Sequence, residues 1–104
     1  MRKIVSNYTG SDSWYRIWSD GFIEQGGKVT VSISTSGIYT FTFPIPFISA
    51  PISIDTTTIA SGSSNSQGNE LTIKSGTLMA TGVQFINDGY GTSKTGFYWT
   101  ARGY

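Results

Sequence analysis

The sequence predicts an all-β fold, a compact antiparallel β-sandwich of seven or eight short strands. Its apolar residues suit a pleated surface: Ile and Val fill 16 positions and aromatics 15, whereas Leu, Met and Ala together fill 8. Apolar and polar residues alternate with period two in several short runs. Turn formers recur between those runs, and there is neither a helical pattern nor an internal repeat to compete with them. Ser, Thr and Gly occupy 42 of 104 positions, a load that in a chain poorer in apolar side chains would point to disorder.

The runs follow in order. Trp14–Trp18 and Phe22–Gln25 flank Ser19-Asp20-Gly21, and Asp-Gly between two such runs is among the stronger short-range hairpin signals. Val29, Val31 and Ile33 share one strand face, as do Tyr39, Phe41 and Phe43; the turn Thr35-Ser36-Gly37 between them predicts a second hairpin. Pro44, Pro46 and Pro51 exclude the next stretch from a central strand, because proline lacks the ladder donor, and predict an extended edge or crossover. Alternation resumes at Ile52-Ser53-Ile54, and residues 61–69 form a polar loop without an apolar anchor. Residues 70–74 read as a short strand. A longer one spans 77–86, with Met79, Thr81, Val83 and Phe85 on one face and Gly82 marking a bulge or a close backbone approach. After a loop over 87–96, Phe97–Arg102 forms the last strand.

Composition removes much chemistry. With no Cys there is no disulfide, thiolate nucleophile or zinc finger, and with no His there is no imidazole triad. A net charge of +1, with seven basic residues scattered along the chain, gives no electrostatic footprint for nucleic acid. No apolar run approaches the roughly 20 residues that span a bilayer, and the first residues lack the apolar stretch of a signal peptide.

Three blocks carry a resemblance. Trp14 through Gly27, then Phe41-Thr42-Phe43-Pro44-Ile45-Pro46-Phe47, then the closing Phe97-Tyr98-Trp99-Thr100-Ala101-Arg102-Gly103-Tyr104, stand in an order that resembles the C-terminal domain of phage tail fibres of the gp53-like type. The extended Phe/Pro segment and the Trp-x-Ala-x-Gly ending are also similar to H-type lectin domains. One departure is Gly26, where many relatives carry Trp after the Gln. The resemblance implies a homotrimeric sandwich over 14–104 at the fibre tip, made in the host bacterial cytoplasm, carried on the virion and joined through a leader over 1–13 to upstream tail fibre or virion proteins. It implies non-covalent contact with bacterial surface polysaccharide, hence a receptor-binding module and not an enzyme, with no cofactor and no membrane insertion. A domain that only trimerises and caps a fibre is the alternative, and a polysaccharide depolymerase the remote one.

Within that reading, the loop from Asn87 to Lys94 is the first candidate for ligand contact. Asn87 and Asp88 offer polar groups to vicinal hydroxyls, Tyr90 offers a ring to stack, and Lys94 and the nearby Arg102 add positive charge. Turn chemistry alone explains every loop residue except Tyr90. Trp14, Trp18 and Trp99 can stack on sugars if exposed, but tryptophans in short alternating strands more often serve core or subunit interfaces. Asp20 and Glu24 are close enough in sequence to suggest an acid/base pair, yet the hairpin gives them turn and strand roles. Gln25 is expected to satisfy buried backbone groups. Asn7-Tyr8-Thr9 matches a glycosylation sequon that a protein made in bacteria leaves bare, and no spacing of Asp and Asn resembles a calcium loop, so no metal is assigned.

Overall fold

A computed structural model describes residues 2–34, 36–60, 71–87 and 94–104, without the side chains of Ala60 and Lys94. Among the described residues there are eight strands and no helix: β1 Ile4–Thr9, β2 Ser13–Trp18, β3 Ile23–Ile33, β4 Ile38–Thr42, β5 Ser53–Ala60, β6 Leu71–Ile73, β7 Gly82–Asn87 and β8 Lys94–Gly103. They form a five-stranded sheet in the order β1-β2-β3-β8-β5 and a three-stranded sheet in the order β4-β7-β6, with every pairing antiparallel. This is the sandwich that the alternation predicts.

The β2–β3 hairpin forms as expected. Ile17 pairs with Ile23, Trp18 N–H donates to Phe22 O, Asp20 Oδ1 accepts from Phe22 N–H, and Gly21 takes the left-handed backbone conformation at φ 91°. The second predicted hairpin does not form. After Ile33 the chain leaves the five-stranded sheet, and β4 pairs with β7 in the opposite layer. The alternation of β3 and β4 is correct, because both strands turn their apolar sides to one core; they reach it from opposite sheets.

The strand expected over 77–86 begins only at Gly82. Thr77 Oγ1 donates to Lys74 O and accepts from Gln84 N–H, tying residues 74–77 into a turn, and Met79 is exposed instead of facing the core with Val83 and Phe85. Gly82 is a close approach, as expected: a Cβ there would run into the carbonyl oxygen of Phe41 on β4. The loop over 61–69 lies outside the described residues.

Phe41 sits at the centre of the core. Its ring lies 4.8 Å from Trp99, 5.7 Å from Phe43 and 5.8 Å from Phe97, mostly edge to face. Phe97, Trp99 and Ala101 share the inner face of β8 and are buried. The proline segment between β4 and β5 forms no strand and crosses from one sheet to the other. Gln25, fully buried on β3, holds it: its Nε2 donates to Ile45 O at 2.7 Å and its Oε1 accepts from Ile45 N–H at 3.0 Å. Because Pro44 and Pro46 have no N–H, Ile45 carries the one backbone donor of that tripeptide.

Candidate ligand-binding surface

Of the residues singled out in the sequence, Lys94 and Arg102 stand near opposite ends of β8. Asn87 closes β7 and is fully buried; its Nδ2 donates to Ile33 O at 2.9 Å and to Ser34 O at 3.1 Å. Its backbone joins the same junction, with Asn87 N–H donating to Gly37 O and Asn87 O accepting from Ser36 N–H. Asn87 therefore ties the passage from β3 to β4 to the end of β7. Asp88 and Tyr90 lie outside the described residues. Lys94 opens β8, with its backbone paired to Ile33 and Ala60. Arg102 stands eight residues further along the same strand, roughly 26 Å away at the ordinary rise of an antiparallel strand, so the structure does not bring it beside Asn87 and Lys94.

Arg102 belongs instead to a network on the outer face of the five-stranded sheet. Residues directly opposite one another in a ladder point to one side, so the register assigns this face row by row. One row holds Asn7, Arg16, Glu24, Arg102 and Ser53; the next holds Thr9, Trp14, Gly26, Thr100 and Asp55; a third sets Lys28 beside Tyr98 and Thr57. Glu24 is the hub of the first row. Its Oε1 accepts from Trp18 Nε1 at 2.8 Å and lies 3.7 Å from Arg16 Nε, while its Oε2 accepts from Arg102 Nε at 3.2 Å. The Trp18 hydrogen bond, then the Arg102 hydrogen bond and the two guanidinium charges, hold its carboxyl below the usual range against the opposing effect of partial burial.

This geometry suits a structural anion and not a general acid. Asp20 is separately engaged by the turn and by Arg2, at 3.6 Å, whose guanidinium also lies over the rings of Trp18 and Phe22. Among the described residues no three carboxylates gather as metal ligands.

The tryptophans divide. Trp99 is core, whereas Trp14 and Trp18 are half-buried on the outer face. The indole of Trp14 covers Gly26, where a Cβ would meet the ring at 2.9 Å and the Trp99 carbonyl at 2.6 Å. A tryptophan at position 26 has no room beside it. What the sequence did not reveal is the row structure of this face, because it depends on β3 pairing with β8 across some 75 residues.

Comparison with known proteins is consistent with this architecture. Structures of pyocin tail fibres superpose over 95% of the chain. An N-truncated R2-type fibre matches with a TM-score of 0.71 at 21% identity, the chain spanning 37% of its length. An N-truncated R1-type fibre matches with a TM-score of 0.66 at 25% identity over 84% of its length. An R1 pyocin fibre from P. aeruginosa matches with a TM-score of 0.67 at 25% identity, the chain spanning 28% of it. No curated protein sequence matches. The family profile described as "tail fiber protein gp53-like, C-terminal" matches residues 16–104, which takes in β3 through β8 and the second half of β2. The chain therefore belongs to the gp53-like tail fibre family, as its C-terminal domain.

Proposed function

We propose that this domain is the receptor-binding tip of a phage or phage-like tail fibre, and that it recognises bacterial surface glycans non-covalently as a homotrimer. Membership of the tail fibre family carries the reading. The outer sheet face supports it, since it presents half-buried indoles, a tyrosine and hydroxyls in a layout suited to sugar recognition. Exposed Ile4, Val5 and Tyr8 on β1 supply apolar surface for an assembly to bury. Three weak sites on one symmetric tip raise affinity through avidity.

Asp88, Tyr90 and Lys94 are the loop's proposed ligand contacts, Asn87 its anchor, and Arg102 a contact at the far end of β8. Light scattering should give three times the chain mass. The trimer should adsorb to host cells or to their isolated polysaccharide, and replacing Asp88 and Tyr90 with Ala should abolish adsorption with the trimer intact. A stable trimer with no affinity for any glycan or host cell would leave a capping domain in its place.

A further inference from the structure

The outer face of the five-stranded sheet holds an open recess of about 300 Å³ whose described lining does not include Arg102. Its walls are the indole of Trp14 on β2 and the ring of Tyr98 on β8, which is 52% exposed. Gly27 and the backbone around Trp99 and Thr100 form much of the floor. Asp12 and Lys28 stand at the rim, Lys28 Nζ lying 5.8 Å from the centre of the Tyr98 ring.

Two properties mark this recess as a candidate site. The first is that its polar groups are uncommitted. In the adjoining row Glu24, Arg16 and Arg102 satisfy one another. Among the described residues the Asp12 carboxylate has no ion pair or hydrogen bond, the Trp14 indole N–H has no acceptor, and the Lys28 ammonium has no partner but the Tyr98 ring. The second is that the recess is preformed. Gly10 N–H donates to Ser13 O and Lys28 N–H donates to Asp12 O, both at 2.8 Å, so the rim turn is fastened to β3. Gly27 allows that approach, because a Cβ there would collide with the Asp12 carbonyl oxygen.

We infer that this recess is a saccharide subsite for an uncharged hexopyranose. A pyranose has apolar faces that stack on aromatic rings and equatorial hydroxyls that bridge a carboxylate, an ammonium and an indole N–H. One anion and one cation at the rim leave no net charge to favour a sugar acid or a phosphorylated sugar. A second recess of about 270 Å³ lies on the other side of Trp14, beside Asn7, Thr9 and Arg16. A polysaccharide chain continues across the indole into it.

The inference rests on the glycan-binding reading, and its test separates the two. The full trimer is titrated with methyl hexopyranosides of the gluco, galacto, manno and rhamno series, and with neutral surface polysaccharide from the host, by ligand-observed NMR and tryptophan fluorescence. Tyr98→Ala and Asp12→Ala are compared with Ile48→Ala, a substitution at an exposed site away from the recess. Trp14 is left in place because its indole packs over Gly26. The expected result is binding weakened at least tenfold in both recess variants and unchanged in the control, with the trimer mass intact.

Wild-type affinity retained by Tyr98→Ala and Asp12→Ala overturns the subsite while leaving the glycan reading standing. Dissociation of the trimer by Tyr98→Ala overturns it too, by making the recess a subunit contact. Absence of any saccharide binding by the wild-type trimer overturns both readings.

Discussion

Gln25 reads in sequence as a side chain that satisfies backbone polar groups, and its amide does so by holding the proline crossover through both backbone groups of Ile45. Removing that amide leaves the part-buried N–H and C=O of Ile45 without their partner. Gln25→Ala is expected to cost about 2–4 kcal/mol, read by denaturant unfolding. Glu24 invites a different test. Its carboxyl is held below the ordinary range in the folded state, so the unfolded chain binds more protons over the interval between the two values. The stabilisation is complete above the unfolded carboxyl's pKa and disappears as pH falls through the folded one. The stability advantage of the native protein over Glu24→Gln should therefore shrink as pH is lowered from about 7 to about 3. An advantage that stays constant with pH would remove the network's electrostatic role. At pH 7 the difference should be about 0.5–1 kcal/mol, because Arg16 and Arg102 are both partly exposed.

At the scale of the element, local signals and their reach explain what could be read beforehand. The β2–β3 hairpin was legible because Asp20-Gly21 specifies a tight reversal within a few residues. The separation of β3 from β4 was not, because alternation reports which side chains face the core and says nothing about which layer supplies the strand. The same limit extended the seventh strand back to Thr77, where side-chain and backbone bonds from Lys74 to Gln84 compete with the ladder. Gly82 was legible as a close approach from its place in an alternating run. Gly82→Ala should force the Phe41 carbonyl away and destabilise by at least about 2 kcal/mol, measured by thermal unfolding. Gly76→Ala places a Cβ where nothing lies within 4 Å and strains only a turn at φ 80°, so its smaller loss serves as the comparison.

At the scale of the whole molecule, the outer face is assembled from segments that are distant in sequence, so no local pattern could show Trp14, Thr100 and Asp55 in one row. Blocks 14–27 and 97–104 were nevertheless recognisable as belonging together, and the structure supplies the reason: they are β2, β3 and β8, neighbours in one sheet. The central position of β8 also governs when the domain can exist during synthesis. It lies between β3 and β5 and contributes Phe97, Trp99 and Ala101 to the core, yet it spans residues 94–103. Everything made before it is a set of open sheet edges around an unfilled centre. A chain released before Phe97 should remain protease-sensitive and lack the cooperative unfolding transition of the full chain, as pulse proteolysis would record. Synthesis thus completes this fold only once β8 has emerged, and a product interrupted before it lacks the strand that joins β3 to β5 and fills the core between the sheets.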